Sequence, residues 1–450
     1  MEEPHRKGAK GPSGRRQEAL RARSVFVRRG GKQTGGCSIV LEAGSNLQTG
    51  ERKFLTIFGG LTTLEADLLL IASSIFAADR CLARGEREDF ARGVEISIPV
   101  INAGLLQPLG ASLEELLRTL SNDAWRVSFR QESGEPETQP VAQPAQGATL
   151  LFSGGLDSLA AAIELGTTIP SLQLVSHTTR NQRTSVTQDE LIALLKTIGI
   201  APPHRKFQVS ATSKEPAANI SFDTESSQRT RSFLFLTLGV LCARRAGHTD
   251  VVYLAENGQM AIHLPLTSAR IGAFSTHTAH PDVLARAKRF FNHALRTDLH
   301  IANPYVHKTK AEVTRIVLDK LPSAIPKTIS CWKTSRLVRQ ATHCGACIPC
   351  IVRRVAIEFH GADPTIYERD LFAESFASLN EADDGRRNLA DFAEFTMRIE
   401  RSLDIDIMAE WPDLYSPQIL RSEAIGMYRR ACAEARNVLS KYPNLAPILA

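Results

Sequence analysis

Residues 150 to 165 read LLFSGGLDSLAAAIEL, and this order constrains the fold more than any other stretch of the chain. A short apolar run enters a turn of two glycines framed by serines, and an alanine-rich helix follows. A strand-to-helix turn of this kind directs backbone N–H groups and the positive end of a helix dipole at one point, which makes an anion site. The hexamer Ser153-Gly154-Gly155-Leu156-Asp157-Ser158 is not a Walker A loop, because no Gly-Lys-Ser/Thr follows the glycines. Glycine admits backbone geometry other residues avoid and lets a phosphate come close, while the serines add hydroxyl donors. Asp157 is placed to orient the loop amides or to hold Mg²⁺. The alternative is an ordinary Gly-rich turn capped by Ser153.

From residue 148 onward, strand and helix patterns alternate. ATLLF leads into a helix from about 156, LQLVSHT into a helix through DELIALLKTIG, KFQVSAT into RSFLFLTLGVLCARRAG, and DVVYLAE closes the series. Apolar runs without strict alternation, separated by helices, predict an α/β fold with a doubly wound parallel sheet covered on both faces. Ligands on such sheets sit at the carboxyl ends of the strands, so the turns after 152, 177 and 255 are the places for chemistry.

The remaining chain divides by composition. Residues 1–36 carry ten Lys/Arg against three Glu and few apolar side chains, which predicts a disordered basic tail. A solvated extension explains it as well as a nucleic-acid contact does, and the rest of the chain is close to neutral, so no nucleic-acid function follows. Residues 37–130 read as an N-terminal α+β domain. It holds a helix with the stripe Leu64, Leu68, Ile71, Ile75, Ala78 and Leu82, alternating strands at 94–100 and 125–129, and a capping box of Ser112 with Glu115. Residues 131–147, with Pro136, Pro140 and Pro144, read as a linker. The catalytic domain spans 148–365, and 366–450 is a C-terminal helical region suited to packing or dimerisation. No apolar run approaches the roughly 18 to 20 residues of a membrane span, and a cytoplasmic location with no membrane contact is expected.

Cys331, Cys344, Cys347 and Cys350 fall within twenty residues, in the segment CWKTSRLVRQATHCGACIPC. Thiolates at two-residue intervals converge on one tetrahedral Zn²⁺, and a remote fourth closes the shell without an open position for water, which makes the zinc structural. An iron–sulfur cluster uses the same ligands, and His343 and His360 are alternatives to Cys331 as the fourth ligand.

Ser-Gly-Gly-x-Asp-Ser after the first strand resembles the PP-loop of the ATP pyrophosphatases, the adenine nucleotide alpha hydrolase-like fold. HCGACIPC placed after it is similar to the zinc segment of 7-cyano-7-deazaguanine synthases (QueC). The resemblance covers roughly 148 to 360. It implies ATP bound by Ser153, Gly154, Gly155, Leu156, Asp157 and Ser158 with Mg²⁺, cleavage between the α and β phosphates, and transfer of AMP to a substrate oxygen. It implies an adenine pocket near His177, and cationic roles for Arg231, opening the helix RSFLFL, and for Lys310, with Lys308 as competitor. Asp157, Arg231 and Lys310 are the expected catalytic set. The loop AENGQMAIHLPLTSARIGAFSTHTAHPD offers Glu256 and Asn257 for a guanine-like edge and Arg270 for a carboxylate.

This loop departs from the Tyr-Pro-Asp-type substrate segment of the biosynthetic synthases, and the chain is longer at both ends. It resembles the long QueC-like proteins of anti-phage operons, the Qat system and the QueC-bearing branch of CBASS. That resemblance implies an ATP-dependent ligase that activates 7-carboxy-7-deazaguanine and passes it to an amine, the N-terminus of a partner protein, in anti-phage defence; a homodimer is the default expectation for a chain of this kind. A nitrile synthase using ammonia, a PP-loop tRNA-modifying enzyme and a non-catalytic nucleotide-binding scaffold stand beside it.

Overall fold

The computed structural model describes residues 23–29, 39–84, 91–134, 142–143, 145–178, 182–212, 225, 227–248, 251–267, 277–333 and 341–449. The N-terminal elements are β1 (Arg23–Arg28), β2 (Ile39–Glu42), β3 (Leu47–Gln48), α1 (Glu51–Phe58), α2 (Thr63–Cys81), β4 (Gly93–Val100), α3 (Ala103–Leu106), α4 (Gly110–Ser121) and β5 (Ala124–Gln131). Three expectations change here. The tail expected through residue 36 contains a strand, because Val25 and Val27 alternate into the core and β1 pairs with both β2 and β4. The sheet, in order β2-β1-β4-β5, is parallel in every pair, so this unit is α/β in character and not α+β. Ser112 and Glu115 form no capping box: a 3-10 turn over Gln107–Leu109 runs directly into α4, which places Ser112 inside its first turn.

α2 is buried nearly all round, not along one stripe, as befits a helix between two layers. Its start is the capping box that 112–115 lacks: Thr62 Oγ1 accepts from Glu65 N at 3.2 Å, and Glu65 Oε2 accepts from Thr62 N at 2.8 Å.

The second sheet is built from β6 (Ala148–Leu151), α5 (Leu156–Thr168), β7 (Leu172–Thr178), α6 (Gln182–Thr197), β8 (His204–Gln208), β9 (Ser210–Ala211), α7 (Arg231–Arg245), β10 (Val251–Tyr253), α8 (Gly258–Ile262), α9 (Pro281–Leu295), β11 (His300–Ala302) and α10 (Lys310–Lys320). Its order is β11-β10-β6-β7-β8, all parallel, as the alternation of strands and helices predicts. β6, the first strand, lies in the middle, so the winding reverses between β6 and β10 and opens a crevice at their carboxyl ends. KFQVSAT splits: its second half, β9, leaves the parallel sheet and pairs antiparallel with β3 of the N-terminal unit.

The two sheets share one core. Phe76 and Ile75 of α2, Val175 of β7 and Phe233, Leu234 and Leu241 of α7 belong to a single apolar cluster. Polar contacts pin the same seam. Asp79, fully buried, accepts from Thr230 N at 2.9 Å and Thr230 Oγ1 at 3.1 Å at the start of α7, and it also pairs with Arg84 and Arg92. At the far end of the seam, Glu65 pairs with Arg244 at 3.0 Å and Arg245 at 3.4 Å.

On the opposite face of the sheet, α5, α6 and α10 close a second cluster. The chain ends in α11 (Ile348–Glu358), α12 (Asp384–Arg401), α13 (Asp404–Glu410) and α14 (Arg421–Leu439). These helices pack within the chain: Phe395, Trp411 and Tyr428 cover Ile262 at the end of α8 and Leu264 beyond it, while Leu389 and Val438 cover Ile351 and Val355 of α11. No helix among the described residues is long and apolar enough to cross a membrane.

Candidate active site

The Ser153–Ser158 hexamer lies where β6 meets α5. Gly154 has φ of +85°, a conformation that suits glycine, and Gly155 is the N-cap of α5 without any side-chain cap. The serines shape the turn from within: Ser153 Oγ accepts from Gly155 N at 3.2 Å and donates to Ser158 Oγ, which donates to Gly155 O at 3.0 Å. Two distant segments hold the turn from outside. Gln188 of α6 donates to Ser153 O at 3.3 Å, and Ile329 N donates to Gly154 O at 3.1 Å.

Asp157, in the first turn of α5, does not bond the loop amides. Its Oδ1 accepts from Lys310 Nζ at 2.7 Å, and its Oδ2 accepts from Asn257 Nδ2 at 2.9 Å and Asn257 N at 3.2 Å. Both members of the ion pair are nearly buried. Lys310 is fixed at the start of α10 by the Thr309–Glu312 capping box, and its own N–H is received by Gln259 Oε1 at 2.9 Å. Lys308, the competitor, lies over the Tyr305 ring and within 3.5 Å of Glu164.

Ser153, Asp157, Asn257 and Lys310 line a cavity of about 180 Å³ together with Ser330, Trp332, Pro349 and Val352. Typical small-molecule sites measure about 300–1,000 Å³, so this space suits part of a nucleotide or one compact ring system. The lining of this cavity combines polar and charged groups with apolar side chains such as Leu156, Met260, Ile329, Pro349 and Val352. Glu256 lines it too, and its carboxyl is pushed up to about 7 by burial and by Asp157, with Lys310 opposing. Asn303 grips the Glu256 backbone on both sides, at 3.1 Å and 2.7 Å, which leaves the side chain to face the cavity.

The remaining expected residues divide. His177 does not line this cavity: it is buried edge-on against Phe76 of α2, hydrogen-bonds Val209 O at 3.2 Å through Nε2, and receives Arg231 Nε on Nδ1 at 3.4 Å. Burial, Arg231 and Arg80 depress it to about 3, so it is a neutral imidazole. Arg231 stands beside it at the start of α7, held below the ordinary guanidinium range by burial and by Arg80 of the N-terminal unit. Asn257, expected at a guanine-like edge, lines the cavity; its Nδ2 donates to Asp157 and its Oδ1 caps α8. Arg270 lies outside the described residues.

The cysteine cluster is assembled. The sulfurs of Cys331, Cys344, Cys347 and Cys350 all lie within 4.8 Å of one another, with Cys347–Cys350 at 3.4 Å and Cys344–Cys350 at 3.8 Å. A tetrahedron with arms of about 2.3 Å has edges of about 3.8 Å, so the set fits one central Zn²⁺; a cubane holds its thiolates farther apart, on separate irons. Backbone amides support the sulfurs, Lys333 N on Cys331 at 3.2 Å and Ala346 N on Cys344 at 3.5 Å. His343 and His360 are otherwise engaged: His343 Nε2 accepts from Ser330 N at 3.1 Å, and His360 Nε2 reaches Ala311 O at 2.9 Å.

With this geometry in place, the comparisons with known proteins are informative. Residues 147–361 match the family model described as "Queuosine biosynthesis protein QueC". Residues 147–361 are QueC-like. Among curated relatives, the 7-cyano-7-deazaguanine synthase of Brucella anthropi is 27% identical over 227 residues, 49% of this chain and 92% of its own length. The 7-cyano-7-deazaguanine synthase 1 of Mesorhizobium japonicum is 29% identical over 240 residues, again 49% of this chain and 93% of its length. The QueC-like segment therefore holds the phosphate loop, the Asp157–Lys310 pair and the cysteine cluster, while the N-terminal sheet and helices α12 to α14 stand outside it.

Gln188, Ile329 and Ser330 join the site through long-range contacts that no local sequence pattern signals, and Trp332 directly follows Cys331.

Proposed function

We propose that this chain is an ATP-dependent, AMP- and pyrophosphate-forming ligase acting on 7-carboxy-7-deazaguanine, with a protein N-terminus as acceptor, in anti-phage defence. The observation that carries the reading is the Asp157–Lys310 pair beside an uncapped helix N-terminus, inside a segment similar to 7-cyano-7-deazaguanine synthases. A carboxylate is a poor acyl donor. Attack of its oxygen on the α-phosphorus forms a P–O bond, breaks the bond to the β-phosphate and releases pyrophosphate. The acyl adenylate then takes an amine at its carbonyl carbon, an amide forms, AMP leaves and one proton is lost.

In this reading the Ser153–Ser158 loop and Lys310 neutralise the departing pyrophosphate, Asp157 would hold Mg²⁺, which would supply further charge neutralisation, and Arg231 supplies positive charge from the start of α7. A protein acceptor, and with it the homodimer and the defence role, is favoured by the large units that surround the QueC-like segment. Ammonia as acceptor, with a nitrile product, is the second reading, favoured by the similarity to 7-cyano-7-deazaguanine synthases. Mass analysis of products from Mg-ATP and 7-carboxy-7-deazaguanine tests both. A stalled adenylate that discharges only onto a protein amine supports the first, and a free nitrile formed from ammonium supports the second.

A further inference from the structure

Three hydroxyls line the cavity beside the Ser153–Ser158 turn among the described residues, those of Ser153, Ser158 and Ser330. The two that the turn itself supplies spend their hydrogens inside it, Ser153 Oγ on Ser158 Oγ at 3.2 Å and Ser158 Oγ on Gly155 O at 3.0 Å. Ser330 differs. Its Oγ accepts from Arg353 Nη1 at 3.3 Å, and because a guanidinium can only donate, the hydroxyl hydrogen of Ser330 is left without an acceptor among the described residues. Thr328, gripped by the same Nη1 at 2.7 Å, spends its own hydrogen on Ile325 O at 2.9 Å. Arg353 stands on α11 three residues after Cys350, is fully buried, and pairs with no carboxylate among the described residues; its remaining N–H groups go to Ile325 O and Thr365 Oγ1. The backbone beside Ser330 is equally fixed. Ser330 N donates to His343 Nε2 and Ile329 N to Gly154 O, each at 3.1 Å, and Ile329 O lies 3.2 Å from where a Cβ on Gly155 would stand. The segment 328–330 is thus laid against both glycines of the turn.

We propose that Ser330 donates this hydrogen to a phosphate oxygen of the nucleotide bound at the turn, and that Arg353 is the positioning residue that commits the hydroxyl to donating. A hydroxyl that already accepts from a cation is polarised into a stronger donor. The anion is assigned to phosphate, and not to the substrate carboxylate, because the segment carrying Ser330 is hydrogen-bonded to the turn itself. This rests on the ligase reading above and adds to it a phosphate ligand from outside the Ser153–Ser158 turn.

The test measures equilibrium binding of Mg-pyrophosphate and Mg-ATP to the full chain in the wild type, Ser330→Ala, Ser330→Thr and Arg353→Lys, each checked for zinc content and melting temperature. A hydrogen bond to a charged group is typically worth a factor of about 10 to 100 in binding. Ser330→Ala is expected to weaken both ligands by at least about tenfold with KM for 7-carboxy-7-deazaguanine unchanged, and Ser330→Thr, which keeps the hydroxyl, to bind as the wild type does. Arg353→Lys is expected to weaken pyrophosphate binding on its own and to add nothing in the Ser330→Ala background, a dependence that a merely structural arginine would not show. Additive losses overturn the positioning role. The Ser330 variants, at a half-buried position, decide the donor role whether or not Arg353→Lys folds. Unaltered pyrophosphate and ATP binding in Ser330→Ala overturns that role and leaves the ligase reading standing, as does a loss confined to 7-carboxy-7-deazaguanine, which would make the carboxylate the anion met. Absence of any AMP formation by the wild type overturns the ligase reading itself.

Discussion

Lys310 Nζ lies 2.7 Å from Asp157 Oδ1, although 152 residues separate them in the chain, and the contact joins the first turns of two helices on the same face of the sheet. Each side chain is nearly buried, so neither charge is well solvated without the other. Asn257 completes the arrangement by giving Asp157 two N–H donors.

Removing either partner strands the other. Asp157→Ala and Lys310→Ala are each expected to lower AMP formation by at least about 100-fold, with the double variant no worse than the weaker single one. Rates of AMP release for the three variants check this, and additive losses would separate the two residues.

The cysteine cluster is expected to bind one zinc per chain. Chelation, or Cys347→Ser, removes a term on the order of 10 kcal/mol of binding and folding energy, so α11 and the helices packed on it should melt first. Metal analysis together with circular dichroism reads both effects. Iron with a visible charge-transfer spectrum in the protein as isolated would contradict the single-ion geometry.

Gly345, between two of the ligands, has φ of +75°, and a Cβ there would stand 2.0 Å from Arg369 O. Backbone cannot retreat as a side chain can. Gly345→Ala is expected to cost at least about 3 kcal/mol and to lower zinc occupancy, measured by denaturation and metal content.

Asp79 ties the N-terminal unit to the start of α7. Asp79→Ala leaves Thr230 N and Oγ1 without their acceptor inside the seam, while Arg92 keeps Asp123 at 2.7 Å, a change worth about 1–3 kcal/mol. Denaturant unfolding gives this number; a loss below about 1 kcal/mol would show that the apolar seam alone holds the units together.

Glu256 gives the pH dependence. Its carboxyl lies near 7 in the folded chain against an ordinary value of 4.5, so the fold binds the extra proton more tightly than the unfolded chain. The resulting stability is fully present below 4.5 and is lost as pH rises through 7. Glu256→Gln stays neutral throughout. The melting temperature of the wild type should fall relative to Glu256→Gln between pH 5 and about 8.5, and parallel curves would contradict the placement.

Local patterns carried much of this fold. The parallel sheet of 148–302 and the Gly154–Gly155 turn follow from strand–turn–helix order, and the convergence of the four cysteines from spacing, because each depends on residues close in sequence. The N-terminal sheet was harder to read. β5 alternates exposed and buried along its length, a pattern associated with antiparallel strands, yet it pairs parallel with β4 because its outer face is left to solvent. His177 sits on the expected strand end, but pleating turns its ring toward α2, and which face a strand-end residue takes depends on the partner sheet. Asn257 shows the same limit: an amide at a strand end binds a ligand or a neighbouring carboxylate equally well, and Asp157 is 100 residues away.

The central claim is that the QueC-like segment cleaves ATP at the α-phosphate in response to a carboxylated deazaguanine. The most direct measurement is nucleotide analysis after incubating the purified chain with Mg-ATP, with and without 7-carboxy-7-deazaguanine. The account predicts AMP and pyrophosphate in equal amounts, formed only with the deazaguanine and lost in Asp157→Ala. ADP and phosphate, or AMP formation indifferent to the deazaguanine, would contradict it.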